Sequence, residues 1–110
     1  MFKYLVYSLF ITLTLFSVSL ADKGNKTLII FSAEWCKYCL IAKNDINTDK
    51  VLSETIKKYE VIIVDFDNDK DMVEGYGIKN IPTFIIVENK EELKRQIGYN
   101  GPIQLNTFLK

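Results

Sequence analysis

Two cysteines, Cys36 and Cys39, stand three positions apart just behind the apolar run Thr27-Leu28-Ile29-Ile30-Phe31, and the chain has no others. This pairing of a short apolar run with a Cys-x-x-Cys narrows the folds open to the sequence more than any other feature. A continuous run rich in β-formers reads as a strand buried on both faces, the habit of a parallel sheet. Behind the cysteines, Leu40 to Ile46 continues as a helix until Asn47-Thr48-Asp49 interrupts it. Asp49 then serves as the N-cap of a second helical stretch with Val51, Leu52, Thr55, Ile56 and Tyr59 on one face.

Val61-Ile62-Ile63-Val64 reads as a second buried strand, and the helical crossover before it makes the first two strands parallel. The acidic run Asp65-Phe66-Asp67-Asn68-Asp69 reads as a solvated loop, because it lacks the glycine and the spacing of a calcium loop. Asp69 to Tyr76 forms a short helix stopped by Gly75 and Gly77. Thr83-Phe84-Ile85-Ile86-Val87 is a third strand. Asn89-Lys90 turns it into a fourth, where Leu93, Arg95 and Ile97 alternate as on a half-exposed edge. Gly98 ends that strand and Pro102 starts a last helix with Ile103, Leu105, Phe108 and Leu109 as its apolar positions. The order β-α-β-α-β-β-α predicts an α/β fold, a mixed four-stranded sheet with helices on both faces.

The first 21 residues read differently. Lys3 precedes an apolar stretch from Tyr4 to Leu20, which closes on Ser19-Leu20-Ala21 before polar Asp22-Lys23-Gly24-Asn25. That is the pattern of a signal peptide cleaved after Ala21. The competing reading is an uncleaved anchor; the stretch is barely long enough to span and carries Ser8, Thr12, Thr14 and Ser17. Both readings put the folded domain, residues 22–110, outside the cytoplasm. The absence of a retention signal at Asn106-Thr107-Phe108-Leu109-Lys110 favours a periplasm over a eukaryotic lumen. Fourteen basic and fourteen acidic residues balance. No basic patch suggests nucleic acid, which demands clustered Lys and Arg.

With no His in the chain, a haem attachment site is excluded and a four-ligand zinc site cannot form. A metal shared between chains, a copper(I) site or a small structural disulfide stays open, though a loop this short gains little from cross-linking. A redox pair explains more of the local chemistry. If the segment opens the helix, Cys36 lies at its N-terminus, where free N–H groups and the helix dipole favour a thiolate, with Lys37 beside it. Cys36 then attacks a disulfide, and Cys39, one turn on, resolves the mixed disulfide by attacking Cys36. The same steps reversed give an oxidant.

Three blocks carry a family resemblance: Ala33-Glu34-Trp35-Cys36-Lys37-Tyr38-Cys39, Tyr76-Gly77-Ile78-Lys79-Asn80-Ile81-Pro82-Thr83-Phe84, and Gly98 at the end of the last strand. With these the chain resembles the thioredoxin superfamily, and in its compact plan it is similar to periplasmic reductant domains. The resemblance implies a thioredoxin-like fold and an exported thiol-disulfide oxidoreductase that reduces disulfides of extracytoplasmic proteins. An oxidase or isomerase, a non-catalytic binding module and a copper chaperone are the alternatives. It implies Cys36 as nucleophile, Cys39 as resolving residue and a redox-active disulfide between them. A cis bond before Pro82 is implied too, with Trp35, Lys37, Tyr38, Ile81 and Pro82 forming the substrate surface and Ile81 pairing with an extended substrate strand. No cofactor or metal is expected, and the domain is expected to be a monomer. A reductant outside the cytoplasm further implies a membrane-bound electron donor. One departure stands out. The buried Asp that thioredoxins commonly keep beneath the cysteines is Ile30 here, the accompanying Lys is Ile63, and Glu34 is the nearest carboxylate in sequence for the proton of Cys39.

Overall fold

The run ahead of the cysteines becomes β1, Lys26–Ser32, in the computed structural model, which describes residues 26–110. The expected leader at residues 1–21 lies outside the described residues. Helices α1 (Lys37–Thr48) and α2 (Lys50–Ile56) lead to β2 (Glu60–Asp65). Then come α3 (Lys70–Gly75), β3 (Thr83–Glu88), β4 (Glu91–Ile97) and α4 (Pro102–Leu109). The sheet order is β2-β1-β3-β4, with β1 parallel to β2 and the other two pairings antiparallel.

Strand alternation divides the core in two. Leu28 and Ile30 of β1 join Phe84 and Ile86 of β3 on the face covered by Ala42, Leu52, Leu105 and Leu109 from α1, α2 and α4. Ile29, Phe31 and Ile85 point the other way, against Val64, Val73 of α3 and Ile78. With a neighbour on each side and helices on each face, β1 is buried along its apolar run, as its sequence predicts.

β2 corrects its own expectation. Val64 is buried, but Val61, Ile62 and Ile63 are 40 %, 42 % and 63 % exposed. The reason is position. Among the described residues no strand pairs with the outer edge of β2, so half its surroundings are missing. Val51 and Ile103 are likewise exposed rather than inward. On α2 the buried positions are Leu52 and Thr55, and on α4 they are Leu105, Asn106 and Leu109.

The break between α1 and α2 is one residue, since Asn47 and Thr48 remain helical. Asp49 takes an extended conformation; its N–H donates to the Asp45 carbonyl at 2.8 Å, and its carboxylate accepts the Leu52 N–H at 2.9 Å. One residue thereby ends one helix and caps the next. On the other side of the molecule, Asn89 and Lys90 both have positive φ (53° and 67°), the twist of a two-residue hairpin turn. Ile86 faces Lys94 while Val87 faces Glu92, so Leu93 is the extra residue of a bulge. Tyr99 fastens α1 to the loop before α4, its hydroxyl donating to Asp45 Oδ2 at 2.6 Å. Burial first, and then that carboxylate, push the Tyr99 hydroxyl pKa upward.

Candidate active site

Because β1 and β2 are parallel, they deliver their following loops to the same end of the sheet. Ser32 pairs with Asp65, and the Phe66 N–H donates to the Ser32 carbonyl at 2.8 Å. At that end Cys36 and Cys39 are joined as a disulfide, 6 % and 4 % exposed. Cys36 is the N-cap of α1, with φ −87° and ψ 111°. Its Sγ accepts the Cys39 N–H at 3.2 Å, and its carbonyl accepts the Leu40 N–H at 3.1 Å. The sulfur thus occupies the place a serine or aspartate oxygen takes in an ordinary cap. No acidic side chain lies in the first turn to oppose a negative charge there, so the amides and dipole favour a thiolate at Cys36 once the disulfide is reduced.

The residues expected around the pair are brought to it. Trp35 is 65 % exposed and its indole N–H donates to Asp67 Oδ2 at 2.7 Å. Lys37, the first helical residue, and Tyr38 are exposed on the outer side of the helix start. Ile81 and Phe66 pack against Ala33, Cys36 and Cys39. The Ile81–Pro82 peptide is cis, and the Pro82 carbonyl accepts the Gly98 N–H at 2.7 Å, which ties this segment to the end of β4.

Asp67 is the residue that sequence reasoning missed, having been read only as part of a solvated loop. Its partner lies 32 positions away. The one available signal was the parallel pairing, which sets the loop after β2 beside the loop after β1. The other acids of that run close local turns. Asp65 accepts the Asp67 N–H at 2.9 Å and the Asn68 side-chain amide at 2.8 Å, and Asp69 caps α3 through the Met72 N–H at 3.3 Å. Among the described residues no group of three or more potential metal ligands comes together.

Behind the disulfide lies an open, mainly apolar groove of about 470 Å³. Cys39, Ala42 and Ile46 of α1 form one wall, and Ile30, Ile63 and Val64 form the floor. Ile30 and Ile63 are register partners across β1 and β2. Among the described residues no ionisable group sits at the floor, and Glu34, Lys43 and Asp65 are the charged residues lining the groove. Glu34 is exposed and makes no side-chain hydrogen bond or ion pair among the described residues.

Comparison with known proteins agrees with this geometry. The family model described as Thioredoxin matches residues 8–110. Thioredoxin H5 of Oryza sativa subsp. japonica is 32 % identical over 73 % of this chain and 57 % of its own length. Thioredoxin of Rickettsia felis is 29 % identical over 76 % of this chain and 77 % of its own length. Among solved structures, the thioredoxin of Trypanosoma brucei brucei superposes with a TM-score of 0.67 at 26 % identity, covering 84 % of this chain and 80 % of that one. That of Fasciola hepatica gives 0.67 at 24 %, over 86 % and 88 %. The chain spans less than two thirds of several relatives, 57 % and 64 % of two plant thioredoxins among them.

Proposed function

The chain belongs to the thioredoxin family, and from that premise we propose that it is a thiol-disulfide oxidoreductase, exported from the cytoplasm, that reduces disulfides of extracytoplasmic proteins. The observation that carries the activity is Cys36, whose sulfur caps α1 and is bonded to Cys39 one turn on. In the reduced protein the Cys36 thiolate attacks one sulfur of a substrate disulfide. A mixed disulfide forms and the other substrate sulfur leaves as a thiolate. Cys39, deprotonated, attacks Cys36, expels the second substrate sulfur and restores the Cys36–Cys39 disulfide. Trp35, Tyr38 and Ile81 supply the apolar rim on which the substrate lies, with Lys37 beside the reactive sulfur and Pro82 beneath.

Export rests on the leader pattern of residues 1–21. A reductant working in an oxidising compartment must be recharged there, so a membrane-bound dithiol donor belongs to the same reading.

Two measurements test the proposal. The protein accelerates insulin reduction by dithiothreitol, and both Cys36→Ser and Cys39→Ser abolish turnover. In the native compartment Cys39→Ser retains disulfide-containing proteins covalently on Cys36, with the folded domain recovered from the extracytoplasmic fraction. No acceleration and no trapped protein would refute the activity; recovery from the cytosol alone would refute the export.

A further inference from the structure

We propose that the proton of Cys39 leaves through the groove behind the disulfide and is taken up by the carboxylate of Glu34. This rests on the oxidoreductase reading above. The resolving step needs Cys39 as a thiolate, yet Cys39 is 4 % exposed. Ala33, Cys36, Phe66 and Ile81 pack with it, and the groove it lines is otherwise walled by apolar side chains such as Ile30, Ala42 and Ile63. A thiol in such a wall holds its proton more tightly than one in water. Among the described residues no side-chain base hydrogen-bonds Cys39, so the proton must travel, and the groove that Cys39 lines opens a path for it. The groove is open to solvent and has about 470 Å³ of space, room for a short chain of waters to connect the Cys39 wall with the polar side chains at its rim.

The titratable groups along that path are few. The loop after β1 contributes Glu34, α1 contributes Lys43, and β2 contributes Asp65; α2 and the Pro82 segment contribute none. Lys43 is a cation at neutral pH and cannot accept a proton. Both oxygens of Asp65 are already engaged, Oδ1 by the Asp67 N–H and Oδ2 by Asn68. Glu34 alone is a carboxylate with no partner among the described residues.

The step balances. With a substrate fragment RS– bonded to Cys36, a water hydrogen-bonded to the Cys39 thiol takes its proton as Glu34 accepts one from the far end of the chain. The Cys39 thiolate then forms a bond to the Cys36 sulfur, the Cys36–SR bond breaks, and RS⁻ leaves. Protonated Glu34 returns its proton to solvent at the mouth of the groove.

A two-phase reaction of the reduced full chain with 5,5′-dithiobis(2-nitrobenzoate) separates the steps, because each releases one coloured thiolate. The first phase is attack by Cys36 and the second is resolution by Cys39. Glu34→Gln leaves the first phase unchanged and slows the second by at least about tenfold. It also removes the carboxylate ionisation from the pH profile of the second phase, so that its rate follows hydroxide alone. Glu34→Asp restores part of the rate, and Asp65→Asn, which keeps a turn-closing oxygen, leaves the second phase as in the wild type. Superimposable second phases and pH profiles for Glu34→Gln and wild type overturn the proposal, as does a loss confined to Asp65→Asn. Absence of a first phase in every variant refutes the oxidoreductase reading instead.

Discussion

Strands β1 and β2 are near twins in sequence and opposites in surroundings. Leu28-Ile29-Ile30-Phe31 and Val61-Ile62-Ile63-Val64 lie side by side in parallel register. Their side chains have the same character, yet Ile29 is 4 % exposed and its partner Ile62 is 42 %; Ile30 is 7 % and its partner Ile63 is 63 %. The difference follows strand order, because among the described residues β1 is flanked on both sides and β2 on one, while at the next register pair Val64 reaches the core beside Phe31. β4, the other edge, is armoured differently, with Glu91, Glu92, Lys94 and Arg95 and a bulge at Leu93. An apolar edge and a charged edge bound the same sheet. The apolar one forms the floor of the groove behind Cys39.

The largest test breaks the twins at one register position. Ile29→Ala opens a cavity in a closed core and costs about 3 kcal/mol, whereas Ile62→Ala removes half-wet surface and costs about 1 kcal/mol. Urea unfolding of the two variants measures both. Equal losses would mean that the outer edge of β2 is covered, and the contrast would collapse.

A smaller effect probes the polar tie on the β1 side. Tyr99, which packs with Leu28 and Ile30, donates to Asp45. Tyr99→Phe keeps the ring and loses about 1.5 kcal/mol. Because the folded-state pKa of Tyr99 is raised, its contribution is complete below the unfolded value near 10 and is lost as pH rises beyond it. The alkaline decline in stability should therefore be shallower in Tyr99→Phe than in wild type. Tyr59, whose pKa burial also raises, contributes to the decline that persists. Parallel alkaline profiles would show that the hydrogen bond carries no such role.

The smallest effect belongs to the charged edge. The Arg95 guanidinium hydrogen-bonds Glu92 at 2.6 Å and holds its carboxyl below the usual range. A depressed carboxyl contributes above its unfolded pKa near 4.3 and loses that contribution as pH falls through the folded value. The pair is about a third exposed, so the loss on acidification is below about 1 kcal/mol. The unfolding free energies from urea titrations of wild type and Glu92→Gln should differ by that amount or less between neutral pH and pH 3. A larger gap would make the charged edge a principal support of the sheet.

Local physics reached far in this chain. The strand before the cysteines, the cap at Asp49, the turn at Asn89-Lys90 and the helix start at Pro102 each announce themselves in a few residues, because capping and turn chemistry act over three or four positions. What the sequence left hidden depends on distant neighbours. Apolar Ile62 and Ile63 carry no mark of which strand will be at the edge, and Val51 and Ile103 none of which helical face will be left bare. Within the site, Cys36 and Cys39 were legible from spacing. Asp67 was not, since its tie to Trp35 exists only once two loops are carried to one end of the sheet.

The Cys36 sulfur caps α1 by accepting the Cys39 N–H. In the proposed mechanism that same atom is the nucleophile, so conformational order and chemical reactivity form a single thermodynamic cycle. Whatever steadies the first turn of α1 more with a thiolate than with a thiol lowers the proton affinity of Cys36 by the same free energy, about 1.4 kcal/mol for each tenfold change in thiolate population. Residues that never approach the substrate can thereby act as dials on the sulfur, and reactivity can be retuned from the helix without altering either cysteine.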